Sequence, residues 1–281
     1  MRRKRRWRKV TYFLVGLFVA YWVGCYYLAV KYVRPGTVNE SGPPDTLRSI
    51  GNPIVWATPG LAEGVGSKPV FVVVHGYRGS QSGWAKVADS LSKRGFEVVV
   101  PALPGHDSRT DETSGFGRKE SQVVVDCVAW ARKQSVKPPK VYLLGVSMGG
   151  AACWLASEKD PTVDGVVTEG CFARLDEATR DWFDRKAPGS SVYLRPVIWF
   201  ASWMSGVDPK TVNPVEAAAA WKGKPSLIIH GEDDQLFPTS NGRTLAGASG
   251  GELWIVPGAK HAECSNVAFD EYLNRLVAFT K

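Results

Sequence analysis

Hydrophobic and polar positions divide the chain into three regimes. From Val10 to Val30 no charge occurs, and as a helix rising about 1.5 Å per residue this run is about 31 Å long, the thickness of a bilayer's hydrocarbon core. From Arg34 to Gly51 the chain is rich in Pro, Gly, Ser and Asn without an apolar period, the mark of a linker. Beyond Asn52, short apolar runs at 70–74, 97–100, 141–146 and 163–168 take turns with helix-period stretches at 82–94, 121–134 and 148–157. Such alternation predicts an α/β fold, a mostly parallel central sheet with helices on both faces. It stops after Cys171 for roughly fifty residues, longer than a crossover connection needs. It resumes with a strand at 227–230, a helix at 241–248, a strand at 253–256 and a closing helix at 268–279. The interruption predicts a helical cap insertion.

Four segments are therefore expected: a basic arm at 1–9, a transmembrane helix at 10–33, a linker at 34–51, and one α/β domain at 52–281 with its cap at about 172–222. A length of 281 residues and a hydrophobic content of 44% suit one domain with one core plus an appendage. Arg2, Arg3, Lys4, Arg5, Arg6, Arg8 and Lys9 carry seven of the formal +8 charges, so the rest of the chain is close to neutral and no basic face is left for nucleic acid. Placed before the apolar run, the same charges put the N-terminus in the cytoplasm and the domain outside it, as a single-pass membrane protein. Tyr21, Trp22, Tyr26, Tyr27 and Tyr32 thicken the outer half of this run with rings that favour the headgroup region. A cleaved secretory signal and a lipidated Cys25 after Val23-Gly24 are the competing readings, and both also export the domain.

The 5 cysteines (Cys25, Cys127, Cys153, Cys171, Cys264) are odd in number and form no C-x-x-C pair, so neither a zinc ribbon, a redox motif nor a disulfide framework is expected. No His, Cys or carboxylate cluster has metal-ligand spacing, and no cofactor is implied. The chemistry lies in three loops. Gly145-Val146-Ser147-Met148-Gly149 fits G-x-S-x-G between an apolar strand and a small-residue helix, which presents the serine on a sharp turn. His75-Gly76-Tyr77-Arg78-Gly79-Ser80 follows another strand, and the backbone N–H groups of Tyr77 and Met148 are the expected oxyanion donors. His75 and Gly76 are expected beside the substrate.

A serine hydroxyl needs a base, and among the 4 histidines His75 and His106 precede the serine, against the chain order of serine, acid, histidine. His230 ends a strand and precedes the acidic loop, which leaves His261. Glu232, Asp233 and Asp234 stand in a row after the strand at 227–230, with Glu169 at the end of an earlier strand as an outside candidate for the acid.

His-Gly after one strand, G-x-S-x-G after another, His-Gly-x-x-Asp at 230–234 and Gly-x-x-His at 258–261 together resemble the α/β-hydrolase superfamily over residues 52–281. Within it the chain looks most similar to the serine aminopeptidase-like and monoacylglycerol-lipase-like esterases. The resemblance implies the α/β-hydrolase fold and selects Asp234 as the acid of a Ser147–Asp234–His261 triad. It implies hydrolysis of an ester, thioester or amide through an acyl-enzyme, on a small-molecule acyl substrate, lipids included. The loop Pro101-Ala102-Leu103-Pro104-Gly105-His106-Asp107-Ser108 departs from the family's Asp-x-x-Gly-His-Gly-x-Ser at Ala102 and Asp107. It is structural in the family, which makes His106 a loop-packing or rim residue rather than a catalytic one.

The cap carries Phe172, Trp182, Phe183, Tyr193, Leu194, Trp199, Phe200, Trp203 and Met204. Trp182, Trp199 and Trp203 are the substrate-binding candidates in an acyl wall or a surface leaning on the membrane, against the plainer expectation that these rings pack on the domain beneath. An acyltransferase with the same triad and a non-catalytic binding protein on the same fold stand as the alternative functions.

Overall fold

The computed structural model describes residues 2–36 and 41–281; the side chains of residues 2–4 lie outside the described part, and with them a piece of the expected arm. Residues 37–40 of the expected linker lie outside it too. One long helix, α1 (Arg2–Val33), leads into the antiparallel strands β1 (Arg48–Gly51) and β2 (Ile54–Ala57), a short helix α2 (Pro59–Ala62) and β3 (Val70–Val74). Next come α3 (Ala85–Lys93), β4 (Glu97–Pro101), α4 (Arg118–Lys133), β5 (Val141–Val146), α5 (Met148–Lys159) and β6 (Gly165–Glu169). Between β6 and the next strand stand α6 (Leu175–Lys186), α7 (Ser190–Tyr193), α8 (Arg195–Ser205) and α9 (Pro214–Ala220). The chain closes with β7 (Ser226–Gly231), α10 (Ser240–Ser249), β8 (Glu252–Val256), α11 (Cys264–Val267) and α12 (Phe269–Phe279).

The eight strands form one sheet in the order β1-β2-β4-β3-β5-β6-β7-β8, parallel from β4 to β8 and antiparallel at β1 and β2. β3 and β5 are buried along their whole length, which is why they read as unbroken apolar runs. Their side chains still alternate between two cores. Val70, Val72, Val74, Val141 and Leu143 face one layer with α4 and α5; Phe71, Val73, Tyr142, Leu144 and Val146 face the other with α3 and α12. From β3 the chain first builds β4 on one side and then crosses to β5 on the other. Ligands bind at such a switch point, beyond the carboxyl ends of the strands.

Two features differ from the sequence reading. β1 begins at Arg48, inside the stretch expected to be linker, because Arg48 to Gly51 pairs with Ile54 to Ala57 and extends the sheet. The cap aromatics do not all pack on the domain beneath: Phe172 does, 5.4 Å from the Phe237 ring, but Phe183 and Phe200, together with the aliphatic Val197, pack with Cys25, Ala29 and Tyr32 of α1. Tyr32 meets Trp182 edge-on at 5.7 Å, and the Tyr21 hydroxyl donates to the Tyr193 carbonyl. The C-terminal part of α1 is thus covered by protein, with Cys25, Ala29 and Val33 buried.

Leu143 sits fully buried in β5 between two neighbouring strands. Leu143→Ala removes that volume from a close-packed layer and is expected to cost about 2–5 kcal/mol, read as a lowered urea midpoint of the purified protein.

Candidate active site

β5 ends at Val146, and the chain turns at Ser147 with φ 54 and ψ −116 before α5 starts at Met148. A non-glycine residue in this region is strained, and the surroundings hold it there. A Cβ on residue 145 would lie 2.2 Å from the Gly149 carbonyl oxygen, and one on residue 149 would lie 2.3 Å from the Val74 carbonyl oxygen, so the turn can close only with glycine at both places. The Ser147 N–H donates to the Glu169 carbonyl at 2.8 Å, which ties the turn to β6.

Asp234 lies on the loop after β7 and is buried, whereas Glu232 and Asp233 are exposed. Its Oδ1 accepts the N–H groups of Leu236 and Phe237, both at 2.8 Å, and Oδ2 stands 2.7 Å from His261 Nδ1. His261 comes from the loop after β8, with Nε2 3.0 Å from Ser147 Oγ and the Phe237 ring edge-on at 5.2 Å. With Nδ1–H donated to the carboxylate, Nε2 is left to accept the serine proton. His230 is buried 3.5 Å from Asp234 and donates from Nε2 to the Phe237 carbonyl at 2.8 Å; burial pushes its pKa down. Glu169 is also buried, with its pKa raised chiefly by that burial, and its Oε1 accepts the Cys264 N–H at 2.9 Å. It steadies the far end of the His261 loop and leaves the ring nitrogen to Asp234.

Beside the serine, neither the Tyr77 N–H nor the Met148 N–H has an acceptor among the described residues. Met148 heads α5, where the helix dipole adds to the pull on an anion. Gly76 approaches so closely that a Cβ there would meet the Val146 carbonyl oxygen at 3.2 Å. Asp107 explains the loop that departs from the family pattern: at φ 51 it occupies the left-handed region that the usual glycine allows, and its carboxylate accepts the Gln81 N–H and contacts His75 Nε2, each at 3.0 Å.

A cavity of about 270 Å³ opens over Ser147 and His261 between Gly76, Tyr77, Arg78 and Trp84 on one side and Ser265 and Asn266 on the other. Another of about 270 Å³ lies at the β1–β2 edge and touches none of the three triad candidates. Two expectations are corrected here. His75 is fully buried beneath its loop, between the Gly76 carbonyl and Asp107, and does not line the cavity, although Gly76 does. Trp182, Trp199 and Trp203 do not line it either; Trp182 leans on α1, and Trp199 and Trp203 face outward. Arg78, Trp84, Ser265 and Asn266 also line the cavity, and no motif in the sequence singles them out. Arg78 directly follows Tyr77, and Ser265 and Asn266 lie within five residues of His261, so chain proximity was the available signal.

A mostly parallel eight-stranded sheet with these loops at its carboxyl edge defines the α/β-hydrolase fold. The chain belongs to the alpha/beta hydrolase family, whose model matches residues 71–275. It is 27% identical over 146 residues to Phospholipase YtpA of Bacillus subtilis, covering 51% of this chain and 55% of that protein. It is 28% identical over 189 residues to Lysophosphatidylserine lipase ABHD12 of Xenopus tropicalis, covering 64% of this chain and 46% of the relative. The chain spans about half the length of the curated relatives it matches. Among solved structures, the Pyrococcus furiosus esterase Pf2001 superposes with a TM-score of 0.66 at 20% identity, over 88% of this chain and 96% of that one.

His106 carries a pH dependence. Its Nε2 accepts the Arg78 N–H at 3.0 Å and Nδ1 donates to the Pro104 carbonyl at 2.9 Å, a neutral ring. Burial first, and the nearby His75 second, lower its pKa to about 4. A depressed folded-state pKa adds stability above the unfolded value, about 6.5, and that stability is lost as the pH falls toward 4. His106→Gln is expected to remove up to about 3 kcal/mol of this dependence, seen by comparing urea midpoints of the two proteins at pH 7 and pH 4.5.

Proposed function

We propose that the protein is a membrane-anchored serine hydrolase that cleaves a lipid ester. The observation that carries this reading is the continuous relay from Ser147 Oγ through His261 to the buried Asp234 carboxylate, set beside two amides without acceptors. In the proposed cycle His261 Nε2 takes the Ser147 proton as Oγ attacks the ester carbonyl, and the Tyr77 and Met148 amides hold the oxyanion. Collapse of the intermediate expels the alcohol, which receives its proton from His261. A water molecule, deprotonated by the same ring, then releases the acid and restores the serine.

Lipid substrates are supported by the activities that two relatives are named for, a phospholipase and a lysophosphatidylserine lipase, and by the cavity itself. Arg78 lines that cavity, has no carboxylate partner among the described residues, and no Asp or Glu lines the cavity with it. A phosphate-bearing headgroup is the natural match for that lone guanidinium.

α1 is proposed to be the membrane span, with its N-terminus in the cytoplasm and the hydrolase domain outside. Retention rather than cleavage is supported by the burial of Cys25 and Ala29 against the cap, an interface that cleavage near Ala29 would remove. Buried Cys25 is likewise badly placed to carry a lipid.

Ser147→Ala is expected to keep the fold and lose at least about 10⁴-fold in kcat. A fluorophosphonate probe should label the wild-type protein and not this variant; an unlabelled but folded wild type would refute the serine mechanism. Arg78→Ala is expected to lower the ratio of kcat/KM on a lysophospholipid to that on a monoacylglycerol about tenfold, and an unchanged ratio would remove the headgroup assignment.

A further inference from the structure

The outward face of α8 takes no part in the chemistry above. Its exposed positions are Arg195, Trp199 and Trp203, a stripe at every fourth residue, and the two tryptophans are 60% and 68% exposed. Tyr193, just before the helix, adds another ring at 72%. Arg195 is the one charge in α8. Large rings are largely apolar, and a stripe of them in water is unusual for a protein surface.

The inner face of α8 fixes the level at which that stripe lies. Phe200 stands edge-on to both Trp22 and Tyr26, at 6.0 and 5.4 Å, and the contact continues through Cys25 and Ala29. Were the membrane to end where this contact begins, the span would run only from 10 to 21, about 18 Å of helix against a hydrocarbon core of about 30 Å. Carrying the span out to Val30 supplies the missing length. Trp22 then lies about 12 Å inside the outer boundary, and Phe200 lies beside it. A span of α1 that matches the thickness of the hydrocarbon core therefore brings α8 part of the way into it.

We infer that α8 is a membrane-inserted element that lies in the outer leaflet alongside α1, with Trp199 and Trp203 facing lipid. Its partner is the bilayer itself, and the inference rests on the proposed reading of α1 as a span. The insertion holds the site at the membrane surface, because the Tyr77 hydroxyl donates to the Tyr32 carbonyl at 3.1 Å, where α1 leaves the bilayer, and Tyr77 lines the cavity over Ser147.

All five native cysteines are free and buried, so an introduced exposed cysteine can be labelled selectively with a maleimide fluorophore. The full-length protein carrying Trp199→Cys, Trp203→Cys, Phe18→Cys or Val136→Cys is labelled and reconstituted into phosphatidylcholine vesicles with or without brominated acyl chains. Phe18 reports on α1, and Val136, exposed before β5 begins, reports on the far edge of the sheet. Labels at 18, 199 and 203 are expected to lose at least about half their emission to the brominated lipid, and the label at 136 to lose none. Quenching at 18 without quenching at 199 and 203 overturns the inference and leaves the anchor standing. No quenching at 18 overturns the anchor reading and the inference with it.

Discussion

At the end of β5 the backbone passes between the carbonyls that end β3 and the first turn of α5, and no Cβ fits at position 145 or 149. The chain meets this crowding with two glycines and places the one residue that must carry a side chain, Ser147, at φ 54. Strain of this kind persists only where the surroundings outweigh it, and here β5 is paired along its length with β3 on one side and β6 on the other. The turn also makes Met148 the first residue of α5, where its N–H, like every first-turn amide, has no intrahelical acceptor. One tight turn therefore supplies both the raised hydroxyl and one of the two amides beside it.

The remaining groups come into reach because the sheet sets their loops side by side. The loops after β3, β5, β7 and β8 all leave the same edge, and neighbouring strands are about 4.8 Å apart. Residues 114 positions apart, Ser147 and His261, thus come to 3.0 Å. Buried supports hold each loop: Asp107 under the His75 loop, Glu169 behind the His261 loop, and the Leu236 and Phe237 amides around Asp234. A carboxylate that accepts two amides as well as the imidazole is fixed in direction, so the ring it holds is fixed too.

The parallel strands were legible because burial on both faces turns them into apolar runs bounded by turn residues, and the motif loops were legible because each follows such a run. β1 was not, being four residues long at an exposed antiparallel edge, nor was β2, whose apolar Ile54–Ala57 is too short a run to stand out without the partner strand β1. Asp234 could be preferred to Asp233 and Glu232 only by resemblance, since three adjacent carboxylates look alike until burial separates them. The cap tryptophans misled for a different reason: apolar residues at helical spacing say that a face is covered or meets an apolar medium, but not by what. Trp182 finds its companion in α1, more than a hundred residues away in sequence, while Trp199 and Trp203 face outward, and nothing local encodes the pairing of α1 with the cap.

That pairing separates α1 from a passive tether. The last carbonyls of a helix lack intrahelical donors, and on a tether joined by a flexible linker water would satisfy them. Here the domain does so: the Ser114 N–H donates to the Val33 carbonyl at 2.8 Å and the Tyr77 hydroxyl to that of Tyr32. Tyr77 also stacks on Phe116 at 5.6 Å, so the C-terminus of α1, the proposed oxyanion loop and the entrance to α4 form one packed unit. A helix capped by the groups that shape the site cannot tilt or slide without moving them. The proposed anchor therefore sets the orientation of the site toward the bilayer as well as its distance from it, a property that a flexible linker of any length would lack.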